Sequence, residues 1–191
     1  MASQRLQFVK AQLKPKPGAK HVVARLLGPQ DLPGEGWRVA DERTWRTGEV
    51  GPGTPYGERA REIGSVTAWR SFRNRSAGRW AWIQIAQLGS PGDAEAALDG
   101  IWERGLTNLA APVRLVSDTE IATGLVAGAT AVRAREQHTE GRPGGGVVLM
   151  LAAAAEDWLI ALSLSGSPGW DWPTASSLAA AQASRLGTAA D

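Results

Sequence analysis

The most apolar segment of the chain, residues 147–165, is divided near its middle by the charged residues Glu156 and Asp157. The parts on either side contain VVLML and WLIALSL, and each is the length of a β-strand. We expect a hairpin of two buried strands that turns at Glu156-Asp157. A single helix over residues 147–164 is the alternative, because alanine and leucine also favour helices. The charged pair interrupts the run, so the segment does not match a membrane span.

Two more strands are expected at about 65–73 and 79–88, joined by the turn residues NRSAG. The second of these is apolar on both sides: Trp80, Trp82, Ala86 and Leu88 face one way, and Ala81, Ile83 and Ile85 face the other. A strand of this kind normally lies inside a sheet that is covered on both faces. A short strand at 113–116 and another at about 129–137 are also expected.

Helix signals are strongest over residues 91–104. Ser90 is a suitable N-cap, Pro91 occupies the first helical position, and Asp93 is an acid three residues after the cap. A final helix is expected over 173–186, where Gln182 interrupts the apolar stripe, and a short one from about Lys20 to Leu27. The predicted core is Ile83, Ile85, Leu98, Ile101, Trp102, Leu149, Leu151 and Leu162.

Hairpins without long crossovers favour an α+β fold, with a single antiparallel sheet of about five strands packed by helices. The 191 residues suit one domain. We expect a flexible basic arm over residues 1–19, the domain over 20–188 and a tail over 189–191. Pro15, Pro17 and Gly18 disfavour a helix in the arm, and no acid precedes Asp31.

The run LLGPQDLPGEGW (Leu26 to Trp37) resembles the start of actinobacterial sensor-domain and lipoprotein-type domains. An aromatic strand, an S-x-x-DA helix start at Ser90 and a late apolar hairpin follow in the same order. The resemblance implies a Mog1/PsbP-like fold, an antiparallel sheet between helices, and no catalytic site common to the family. Unlike secreted members, this chain contains no cysteine.

Catalytic motifs are absent from the sequence. GxGxxG, GxSxG and HExxH do not occur, and Gly144-Gly145-Gly146 lacks the lysine of a P-loop. The lack of cysteine excludes thiolate chemistry, and two histidines are few for a metal site. His138 shares a strand face with Glu136 and Glu140, which suits an acid–base pair but is more typical of a solvated strand end. We therefore expect that the chain is not an enzyme and that it binds no metal and no cofactor.

Aromatic residues and arginines alternate between Trp69 and Trp82, and no acid lies between Glu62 and Asp93. Such a segment is either a packed hairpin with a solvated tip or a binding surface that pairs anions and stacks planar groups. The candidate binding residues here are Trp69, Arg70, Arg73, Arg75, Arg79, Trp80 and Trp82. The arm adds Lys10, Lys14, Lys16 and Lys20, all four lysines of the chain.

Charge is unevenly distributed along the chain. Residues 1–92 carry 15 Lys/Arg and 7 Asp/Glu, a net +8, and residues 93–191 carry 6 and 12, a net −6. With nine tryptophans and no catalytic set, the chain is expected to be a non-catalytic binding or accessory domain for a protein partner or a small apolar ligand. Nucleic-acid binding through the basic arm and the hairpin is the alternative. The first twenty residues contain no apolar signal segment, so a cytoplasmic location is expected.

Overall fold

The computed structural model describes residues 19–46, 65–104, 114–121, 126–140, 146–166 and 168–187. The helices in this part of the chain are α1 (Ala19–Ala24), α2 (Pro91–Arg104) and α3 (Trp172–Gly187), with a 3₁₀ turn at Pro29–Asp31. The strands are β1 (Trp37–Arg46), β2 (Val66–Asn74), β3 (Arg79–Gln87), β4 (Arg114–Ile121), β5 (Ala131–Glu140), β6 (Gly146–Ala155) and β7 (Trp158–Gly166).

All seven described strands form one antiparallel sheet in the order β1-β2-β3-β7-β6-β5-β4. The α+β class and the antiparallel sheet are confirmed, but the expected number of about five strands was too low. The strand missing from the prediction is β1, which lies at the sheet edge and carries charges where a buried strand carries apolar residues. An irregularity between Val39 and Asp41 also shifts its alternation by one residue.

The hairpin expected over residues 147–164 is confirmed. Ala155 pairs with Trp158, which leaves Glu156 and Asp157 as a two-residue turn between β6 and β7. Glu156 has a φ of 50°, the left-handed conformation that such hairpin turns require. The resulting strands β6 and β7 lie at the centre of the sheet, where both of their faces are covered.

The sheet separates two apolar clusters. On one side, here called the α3 face, α1 and α3 pack over Phe72, Ile83 and the alternate residues of β6 and β7. On the other side, the α2 face, Ala97 and Leu98 of α2 pack against β3, β6 and β7. The core prediction is confirmed for Ile83, Ile85, Leu98, Leu149, Leu151 and Leu162, which are all buried. The side chains of Ile101 and Trp102 lie outside the described residues.

Side chains from the rest of the fold satisfy the backbone at the end of α1. The amide of Gln182, fully buried on α3, accepts from the Leu27 backbone N–H at 3.0 Å and donates to the Arg25 carbonyl at 2.9 Å. Arg185 donates to the Leu26 carbonyl at 3.1 Å and bonds Asp31. The polar residue that interrupts the α3 stripe therefore fixes α1 to the body.

The helix boundaries agree with the sequence signals. The Ser90 hydroxyl accepts from the Asp93 backbone N–H at 3.2 Å, so it caps α2 as expected. The short N-terminal helix covers 19–24 rather than 20–27. Residues 1–18 of the expected arm and the tail at 189–191 lie outside the described residues, and Ala19 belongs to α1.

Candidate functional site

The candidate site is a three-by-three array of side chains on the α2 face of β1, β2 and β3. Strand alternation and register place them in three rows across the strands. We call this surface the Trp–Arg face; its rows are Arg38-Arg73-Trp80, Asp41-Ser71-Trp82 and Arg43-Trp69-Gln84.

The Trp–Arg face differs sharply from the reverse side of β2 and β3. None of its nine residues is buried, and Trp80 keeps 39% of its surface exposed. On the reverse side, Ala68, Phe72, Ala81, Ile83 and Ile85 are all at most 3% exposed. A large exposed aromatic on a sheet whose other face is packed is a feature of interaction surfaces. The packed side holds the array rigid.

Cations lie against both ends of this face. The Arg73 guanidinium lies 4.4 Å from the ring centroid of Trp80, and the Arg43 guanidinium lies 5.8 Å from that of Trp69. Arg43 also donates from Nε to the Asp41 carboxylate at 2.8 Å, so its charge is balanced within the face. Arg38 and Arg73 have no acidic partner among the described residues. The face therefore carries three cations and one anion.

The structure places two of the candidate arginines on the opposite side of the sheet. Arg70 forms an ion pair with Glu42 and donates to the carbonyls of Leu26 and Leu27 at 3.2 and 2.7 Å. Arg79 donates to two carbonyls that precede α3, those of Pro168 and Gly169, at 3.0 and 3.1 Å. Both guanidinium groups thus hold loops and helix ends against the sheet, and they do not contribute to the Trp–Arg face.

The other candidate residues have different positions. Trp69, Arg73, Trp80 and Trp82 share the Trp–Arg face, whereas Arg75 is exposed in the β2–β3 turn. Lys20 lies in α1, and its side chain is not described. Lys10, Lys14 and Lys16 fall in residues that the structure does not describe.

Sequence reasoning missed five of the nine members of the face, among them the cations Arg38 and Arg43. The sequence did contain a signal for these two residues, because Arg38 and Arg43 lie at the two ends of a segment that is as long as a β-strand. It was obscured because the irregularity at Ala40 changes the spacing between face residues from two to three.

Other parts of the fold are weaker candidates for a functional site than the Trp–Arg face. A cavity of about 330 Å³ lies between α3 and the β6–β7 turn, lined mainly by alanine and glycine, with Glu156 at its edge. His138 lies 2.9 Å from Glu136 on an exposed part of β5. In the described part of the chain, no cluster of histidines and carboxylates has the arrangement of a metal site. Among the described helices, none is long and apolar enough to cross a membrane.

Two groups outside the face have displaced pKa values. Hydrogen bonds from the Thr174 side chain and backbone, together with the positive charge of Arg79, lower the pKa of Asp171 at the start of α3. A hydrogen bond and ion pair with Asp99 raise the pKa of Arg133, which ties α2 to β5. Both shifts come from local structural contacts rather than from a converging acid–base site.

Comparison with known proteins supports the fold. No protein family and no curated protein sequence matches this chain. The crystal structure of the extracellular domain of PknH from Mycobacterium tuberculosis is similar, with a TM-score of 0.58 and 12% identity over 91% of this chain and 99% of that domain. An uncharacterized protein from Mycobacterium smegmatis, the Rv0999 ortholog, matches at a TM-score of 0.47 and 10% identity, over 80% of this chain and 90% of that protein.

The first of these similarities extends over nearly the whole of both chains. It agrees with the resemblance to actinobacterial domains that the sequence suggests, and it shows a shared fold. At 12% identity it carries no residue of a functional site from one protein to the other.

Proposed function

We propose that this chain is a non-catalytic binding module that recognises a protein partner through the Trp–Arg face. The observation that carries the proposal is the contrast between the two sides of the sheet: nine exposed or half-buried residues of β1–β3 on one side, and a packed core beneath β2 and β3 on the other. Such a rigid surface binds without first having to become ordered, which lowers the entropic cost of association.

The composition of the face favours a protein over an apolar small molecule. Tryptophan and arginine dominate the energetic centres of protein interfaces, and here three of each lie side by side. Apolar ligands instead bind in concave pockets. The 330 Å³ cavity is lined by none of the nine face residues. The excess of cations favours an acidic partner segment.

Nucleic acid is the second candidate partner. Arg73 and Arg38 suit phosphates, and Trp80 suits a base. The bonding of Arg70 and Arg79 to backbone carbonyls argues against it, because only part of the expected cationic cluster remains available.

The type of fold is a separate proposal. We assign the seven-stranded sheet between helices to the Mog1/PsbP type, and the similar PknH domain is extracellular by its description. A cytoplasmic location remains a proposal from the sequence.

A peptide-display selection on the whole protein tests the proposed function. We expect enriched peptides to contain acidic and apolar residues. Trp80→Ala should weaken their binding by about 30-fold or more, because truncating a tryptophan hot spot costs at least about 2 kcal/mol. Val39→Ala is the matched control, because it removes an exposed apolar side chain from the opposite face of β1. Equal binding by wild type and Trp80→Ala contradicts the proposal.

A salt titration separates the two candidate partners. If the protein binds mixed-sequence single-stranded DNA at micromolar concentration and low salt, and affinity falls steeply as salt rises, the nucleic-acid alternative is supported. Deleting residues 2–20 should then flatten the slope, because Arg5 and four lysines are removed. If no DNA binds under these conditions while selected peptides do, the protein-binding function stands.

A further inference from the structure

The two unbalanced arginines of the Trp–Arg face are direct neighbours across strands. Arg38 of β1 and Arg73 of β2 are register partners, and alternation places both on the α2 face. Opposed residues in an antiparallel pair have Cβ atoms about 4.5–5.5 Å apart, and like charges at such positions destabilise a sheet. Both side chains are exposed, and neither has a hydrogen-bond acceptor or acidic partner among the described residues.

Two other arginines of β1 and β2 have an acidic partner. On the same face, the guanidinium of Arg43 is paired with Asp41. On the reverse side of the same two strands, Glu42 and Arg70 are register partners and form an ion pair. The Arg38–Arg73 pair is thus a local departure from charge balance, and it adjoins Trp80, the most exposed of the tryptophans whose side chains the structure describes.

Trp80 orients one of the two cations. The guanidinium of Arg73 lies 4.4 Å from its ring centroid, within the range of a cation–π contact. A guanidinium held on a ring can still direct its N–H donors outward, and its planar fork matches the oxygens of an anion. Arg75, exposed in the turn after β2, adds a third cation at the same end of the hairpin.

From this arrangement we infer that Arg38 and Arg73 form a binding site for a doubly charged oxyanion, a phosphate monoester, with Trp80 beside it. Two guanidinium groups on register-partner residues are neutralised by one dianion, and a phosphate monoester carries about −1.5 to −2 charges at pH 7. A carboxylate or a phosphodiester carries a single charge and leaves one arginine unbalanced. The inference uses the face of the proposed function and names the chemical group that the face recognises.

The test is a titration of the whole protein with phenyl phosphate, followed by NMR signals of the arginine Nε–H and tryptophan indole N–H groups. We expect shifts at Arg38, Arg73 and Trp80. Arg73→Ala should lower affinity by at least about tenfold, as expected for the loss of a charge-assisted hydrogen bond. Arg73→Lys should restore it only in part, because an ammonium group lacks the bidentate fork. Arg46→Ala is the control, because it removes an exposed arginine from the opposite face of β1.

Arg38→Glu separates binding from stability. It replaces a like-charge cross-strand pair with an opposite-charge pair, so the free energy of unfolding should stay the same or rise while phosphate affinity is lost. A loss of stability in this variant means that Arg38 has a structural role, and it overturns the inference.

Two further ligands and a change of pH define the charge that the site requires. Benzoate and dimethyl phosphate should bind at least about tenfold more weakly than phenyl phosphate. Equal binding of either overturns the dianion requirement, and equal binding of dimethyl phosphate favours nucleic acid. Lowering the pH from 7.5 to 5 should weaken phenyl phosphate binding, because the second phosphate pKa is about 6.

Inorganic phosphate and a phosphoserine peptide distinguish a free anion from a modified protein. Tighter binding of the peptide supports a phosphorylated partner, and equal binding supports a free phosphate compound. If no phosphate compound binds but display peptides still depend on Trp80, the inference fails and the proposed function stands.

Discussion

Replacing Gln182 with leucine removes a buried amide that bridges α1 and α3. Gln182 is 0% exposed, and its two bonds join the Leu27 N–H at 3.0 Å and the Arg25 carbonyl at 2.9 Å. The variant leaves both backbone groups without this partner. Leaving a buried donor or acceptor unsatisfied costs about 1–3 kcal/mol. The hydrogen bond to the Leu27 N–H is buried, and the hydrogen bond to the Arg25 carbonyl is partly buried.

We expect a loss of about 2–4 kcal/mol in the free energy of unfolding, since the partly buried carbonyl recovers some hydration. For a chain of this size, each kcal/mol shifts the melting temperature by about 2–4 °C, so the predicted drop is about 4–16 °C. Chemical denaturation followed by tryptophan fluorescence measures the free energy, and a thermal melt followed by circular dichroism measures the temperature.

Gln30→Leu is the matched control, because Gln30 is an exposed glutamine at the 3₁₀ turn and the chemical change is identical. It should alter stability by no more than about 0.5 kcal/mol. If Gln182→Leu is as stable as the wild type, the buried bridge contributes nothing to the docking of α1, and the account of this end of the fold is wrong.

Three more substitutions test the packing, the backbone and the helix cap. Phe72→Ala, on the packed side of β2, should cost about 3–5 kcal/mol in urea denaturation, and a small loss would mean that this side is not the core. Gly166→Ala should destabilise by at least about 1 kcal/mol in the same assay, because φ is +119° and a Cβ atom would overlap the Gly78 carbonyl. Asp171→Ala should lower the melting temperature above pH about 5, and this difference should shrink as the pH falls below 3.8, because the pKa of Asp171 in the folded state lies below its ordinary value of 3.8 and the benefit is lost as pH falls through the folded pKa. A pH-independent difference would argue against the ionised cap.

The candidate site was only partly predictable. The sequence drew attention to Trp80 and Arg73 because aromatic and cationic residues alternate there without acids. Strand alternation alone does not say which cations stay exposed, because that depends on what packs over each face. The structure places Arg70 and Arg73, which are three positions apart, on opposite faces, and it adds Arg38, which lies more than thirty residues before Arg73 in the sequence.

The sequence by itself determined the local elements whose signals are short-range: the α2 start at Ser90, the turn at Glu156-Asp157 and the apolar strands beside it. Capping, turn formation and side-chain periodicity act over a few residues, so they are readable along the chain. Only the tertiary structure decided that β1 completes a seven-stranded sheet, that Gln182 belongs in the core and that Arg38 meets Arg73. These features depend on contacts between distant segments, where register and burial, rather than local composition, determine which groups meet.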